Sequence, residues 1–174
     1  MHEDDRDMKI VGSEGSASPD TIAQEYKIQK DNGNLEKAKK LGNTMAKEVM
    51  AWADVSECEP QQLLNEQILY IFACTVAFDN FTPSTMTAVT ALSAFYDRLK
   101  EYSADFYNTI SCSPAFSFYY LCLRNRNDLG RCVGETFAML CDNSEDERLA
   151  KKGRELYAQF LSSAQGISRR LEFN

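Results

Sequence analysis

Histidine is almost missing from this chain: among 174 residues there is one, His2. With no second histidine near a nucleophile, Ser-His-Asp and Cys-His catalytic pairs are excluded. So are the Glu-x-x-His di-iron sites that helical bundles often carry, a phosphorelay histidine on a helix face, and histidine-ligated haem. The chain contains neither a Gly-x-x-x-x-Gly-Lys phosphate loop nor a Gly-x-Gly-x-x-Gly fingerprint. Six cysteines stand at positions 58, 74, 112, 122, 132 and 141, and none forms a Cys-x-x-Cys pair, which removes the usual zinc patterns. No cofactor and no metal is expected from these residues.

Basic residues are in deficit as well. Nineteen Lys and Arg against 26 Asp and Glu leave a net charge of -7, which disfavours duplex nucleic acid, since much of that affinity comes from cations neutralising phosphates. The longest nearly apolar run, Ile68 to Phe78, is 11 residues, short of the roughly 20 that span a bilayer. The N-terminus, Met-His-Glu-Asp-Asp-Arg-Asp, lacks the basic start and apolar stretch of a signal peptide. A cytoplasmic protein without a membrane span is the expectation. In that setting the cysteines read as small buried hydrophobes rather than bridges, with Cys74, Cys122, Cys132 and Cys141 among apolar neighbours.

What is present is helical punctuation. Residues 1–17 carry five acids with Gly12, Gly15, Ser13 and Ser16, and read as a flexible acidic tail. Residues 18–174 then read as one all-α domain, a bundle of about seven helices. Ser18-Pro19 caps and opens the first, and Asn32-Gly33 stops it. Asn34 is read as the cap of the second, whose apolar positions Ala38, Leu41, Met45, Val49 and Trp52 recur every three or four residues. A third runs from Pro60 to about Asp79, polar on the side of Gln61, Gln62, Asn65 and Glu66 at first and then apolar all round. Thr82-Pro83 opens a fourth, in register to Ile110 as one long helix or two with a bend. Ser113-Pro114 opens a fifth over Phe116 to Arg124, and Asp128 a sixth to about Cys141. Ser144 and Glu147 match a capping box for the seventh. No segment shows sustained strand alternation.

Within this frame, Ala23-x-x-Tyr26, Gly33-Asn34, Glu36-Lys37-Ala38 and Ala46 resemble a tetratricopeptide helical hairpin. The resemblance covers about 25 residues and implies a helix pair there; no second copy follows at the period of about 34 that an array requires.

Charge and aromatics are unevenly spread. Residues 61–123 hold 7 of the charged residues but 13 of the 19 aromatics, which predicts a hydrophobic central hairpin wrapped by charged helices. Gly130, Gly134 and Ala138 recur every four residues and mark a face that another helix can approach closely.

Three constellations are candidates for function. Arg124, Arg126 and Arg131 surround a helix start, where free amides favour anions; they are alternatively capping and surface residues. Tyr96, Tyr107, Tyr119 and Tyr120 are candidates for a pocket or interface, because tyrosine joins a large apolar area to a hydroxyl, with core packing as the plainer account. Asp97, Glu101 and Asp105 follow at four-residue spacing, a stripe able to hold Mg²⁺ for phosphohydrolysis or simply a solvated face. The expected function is a non-enzymatic binding or regulatory protein that associates with a protein partner or with itself, as a homodimer for instance. The alternatives are a sensor or carrier of an apolar or anionic small molecule among the tyrosines, and the Mg-dependent phosphohydrolase.

Overall fold

The computed structural model describes residues 17–124 and 126–174, with only the backbone of Arg126. The acidic tail and His2 therefore lie outside the described residues. Among these residues the chain is all-α: α1 (Pro19–Asp31), α2 (Asn34–Val55), α3 (Pro60–Phe81), α4 (Thr85–Tyr102), α5 (Ala104–Ser111), α6 (Ala115–Cys122), a 3₁₀ turn (Arg126–Asp128), α7 (Leu129–Leu140) and α8 (Glu147–Leu171). No described helix is long and apolar enough to cross a membrane.

Local chemistry sets the boundaries. Ser18 Oγ accepts from the Thr21 amide and Pro19 takes the first helical position, as the sequence suggests. The second start differs. Gly33, at φ 79°, is the residue that turns the chain, and Asn34 is already helical and buried. Its side chain is used at longer range: Nδ2 donates to Gln29 Oε1 and to Asn174 O, each at 2.8 Å, and Oδ1 accepts from the Asn174 amide. The α1–α2 pair is a helical hairpin, yet α1 buries no residue and leaves Tyr26 50% exposed.

The long fourth helix breaks at Ser103, whose extended backbone ends α4 while its hydroxyl caps α5 through the Phe106 amide. The α4 start is a reciprocal box between Ser84 and Thr87 rather than Thr82-Pro83. For α8 the cap is Asp146, whose Oδ1 accepts from the Arg148 and Leu149 amides, in place of Ser144.

The core centres on α3, buried at every position from Asn65 to Phe78 except Thr75. Its neighbours include α2, α4, α6, α7 and α8. Within the apolar stretch α3 is thus the central element, and α4 packs chiefly on α2. Phe72 stacks on Tyr119 from α6 and Tyr157 from α8, at centroid distances of 5.1 and 5.9 Å. Each such fully buried large side chain contributes about 1.5–3 kcal/mol of hydrophobic stabilisation. Two glycines permit close helix approach: a Cβ on Gly42 would clash with the Ala91 carbonyl of α4, and one on Gly134 with the Ala150 carbonyl of α8. The Gly130–Gly134–Ala138 face expected to receive a helix is therefore filled from within the chain, by α8.

Candidate functional site

The break at Ser103 folds α5 back beside α4, and α6 follows after Ser113-Pro114. A groove of about 340 Å³ opens between them, lined by Tyr96, Tyr107, Ile110, Ser111, Phe116 and Tyr120. Tyr96 and Tyr107 meet edge to face at 6.3 Å, and the Lys100 ammonium lies 5.7 Å from the Tyr107 ring centre. Burial is the first cause that raises the Tyr96 phenol, to about 12, helped by Tyr120, Cys74 and Tyr107. That hydroxyl stays neutral, a hydrogen-bonding group rather than a base.

Three of the four candidate tyrosines thus share one concavity. Tyr119 does not: it is fully buried against Phe72, and its hydroxyl has no hydrogen-bond partner. The helix that carries it, α6, is apolar on every side but covered on only one. Phe118, Tyr120 and Leu121 remain 42%, 44% and 53% exposed. From Ala104 to Leu123 the chain holds a single charged residue, Asp105.

The other constellations are dispersed. Arg131 gives its Nε to Glu135 at 2.8 Å along the exposed face of α7, and Arg124 is exposed beyond the end of α6. The Arg126 side chain and Asn125 lie outside the described residues. The carboxylate stripe assumed one unbroken helix. Asp97 and Glu101 are on α4, Glu101 pairs with Arg98 at 2.7 Å, and Asp105 belongs to α5. Among the described residues no three His, Cys, Asp or Glu side chains come together as a metal site.

Sequence reasoning missed two features. Cys122 and Cys132 are bonded to each other, with Cα atoms 5.6 Å apart, rather than standing as separate core thiols. The turn between α6 and α7 folds back and brings the two residues together. Cys74 is buried and free, as expected, and Cys141 is half-buried and free.

The second is Glu66, placed by its neighbours on a polar helix side but in fact completely buried. Its Oε2 accepts from Trp52 Nε1 and Ser56 Oγ, both at 2.8 Å. Its Oε1 accepts from Gln62 Nε2 at 3.1 Å and pairs with the Lys152 ammonium at 2.7 Å. Burial alone would raise this carboxyl. The hydrogen bonds from Lys152, Trp52, Ser56 and Gln62 outweigh it and hold the group below the ordinary carboxylate value. One carboxylate so ties α2, α3 and α8 together. The available signal was its isolation, since Glu66 is the lone charge between Gln61 and Phe78.

No protein-family model, curated protein or solved structure matches this chain. Fold and surface define an all-α protein with an uncovered aromatic face on α5 and α6.

Proposed function

We propose that this is a non-enzymatic binding protein that associates with a second copy of itself through the α5–α6 face. The observation that carries this reading is α6, an apolar helix with three large side chains left in solvent. Such a helix gains by burying its open sides. Charge points to the occupant. Two copies of a chain with net charge -7 repel one another, least where the surface holds no charge of its own. Segment 104–123, with Asp105 alone, is such a surface, and a twofold contact sets it against itself.

Sedimentation equilibrium over a range of concentrations tests this. The wild-type chain is expected to dimerise, and Leu121→Glu, a change at an exposed position, to remain a folded monomer by circular dichroism. A wild-type chain that is monomeric at every concentration overturns the proposal.

One observation favours a second reading, a small-molecule carrier. The tyrosine groove, at about 340 Å³, falls at the lower end of small-ligand pockets. Native mass spectrometry of the purified protein tests it through a retained ligand mass that Tyr107→Ala removes. The phosphohydrolase reading draws no support from the geometry, because Ser103 divides its carboxylates between two helices.

A further inference from the structure

A separate depression of about 170 Å³ lies between α2, α3 and α8, away from the α5–α6 face, and Glu48, Trp52, Tyr70, Phe160 and Ser163 help to line it. Its floor is aromatic. Tyr70 stacks on Phe160 with centroids 3.9 Å apart, and Trp52 stands edge-on to Phe160 at 4.9 Å and to Tyr70 at 6.1 Å. Tyr70 and Phe160 are buried, and Trp52 is the ring left half-exposed at the opening. Glu48 is the one charged residue among the described lining, where no lysine or arginine joins it.

We propose that this depression binds a methylated ammonium head group. Aromatic faces attract cations through their quadrupole, most strongly tryptophan, and a quaternary ammonium loses little hydration on entering such a site. Glu48 adds an opposite charge at the rim. An anion would meet that carboxylate with no compensating cation in the wall. The volume is below that of pockets for drug-sized ligands and suits a compact head group. The buried Glu66 also acquires a purpose here. Its hydrogen bond from Trp52 Nε1, backed by Lys152, fixes the indole in place before any ligand arrives.

Trp52 is the only tryptophan in the chain, so intrinsic fluorescence reports on this site directly. Tetramethylammonium and choline are expected to change its emission saturably, with a dissociation constant on the order of 1 mM for so few contact atoms. The neutral tert-butyl analogue of choline should leave it unchanged, and Glu48→Gln should weaken choline binding about tenfold. Saturation-transfer NMR on tetramethylammonium covers the case of a silent fluorophore. A trimethyllysine peptide titrated in parallel separates the sources: tighter peptide binding assigns a protein-borne head group, tighter choline binding a free solute. No saturable response by either method, an equal response to the neutral analogue, or unaltered binding by Glu48→Gln overturns the proposal. None of these readouts depends on self-association.

Discussion

Glu66 and Tyr119 are both buried and polar, and their opposite circumstances lead to opposite expectations. Glu66 has four donors, and its depressed pKa means that its contribution is present above the ordinary carboxylate range and lost as pH falls through the folded value. Glu66→Gln keeps the shape but removes the charge that Lys152, Trp52 and Ser56 meet. It is expected to cost about 2–3 kcal/mol in urea unfolding at neutral pH, with the gap to wild type closing in acid. Equal midpoints at neutral pH would show that the network is energetically idle. The Tyr119 hydroxyl, by contrast, is buried with no partner. Tyr119→Phe keeps the stack on Phe72 and removes an unmet polar group. Its unfolding midpoint should match or exceed wild type by about 1 kcal/mol, and a clear loss would mean that the hydroxyl is bonded after all.

At the scale of the helix, glycine is decided by what faces it. Gly42 and Gly166 both sit inside long helices, where propensity alone favours alanine by about 1 kcal/mol. At Gly42 the new methyl meets the Ala91 backbone; at Gly166 it meets nothing. Thermal unfolding should therefore show Gly42→Ala destabilised by about 1–3 kcal/mol through overpacking and Gly166→Ala stabilised by up to about 1 kcal/mol. A matching sign for the two would contradict the close approach of α2 and α4.

The same distinction between local and distant causes explains what the sequence made legible. Ser18-Pro19 and the apolar spacing of α2 act within a turn or two, so those elements could be read directly. The break at Ser103 also has a local cause, a serine that caps forward, but unbroken apolar register concealed it. The Cys122–Cys132 bond and the burial of Glu66 depend on contacts between helices, for which a single sequence holds no periodic signal. For the tyrosines, residue type pointed to the α4–α6 region, and only the tertiary turn of α6 separated Tyr119 from Tyr120.

Over the whole molecule, buried tyrosines make the fold sensitive to alkali. Burial raises Tyr70, Tyr96, Tyr119 and Tyr157. A tyrosine in the unfolded chain ionises near pH 10. Because the folded values are higher, the stability they carry is complete below about pH 10 and is lost as pH rises through the folded values, which for Tyr96 means about 12. Urea midpoints should fall steeply over that window, with phenolate absorbance from the buried rings developing as the fold is lost. Midpoints that stay level between pH 10 and 12 would refute it.

The central position of α3 bears on how the chain is made. This helix emerges from the ribosome early, yet part of its cover, α8 with Tyr157 and Phe160, is synthesised last. Until α8 follows, the nascent chain carries an uncovered apolar helix, and chaperone occupancy during translation is expected to be greatest over that interval.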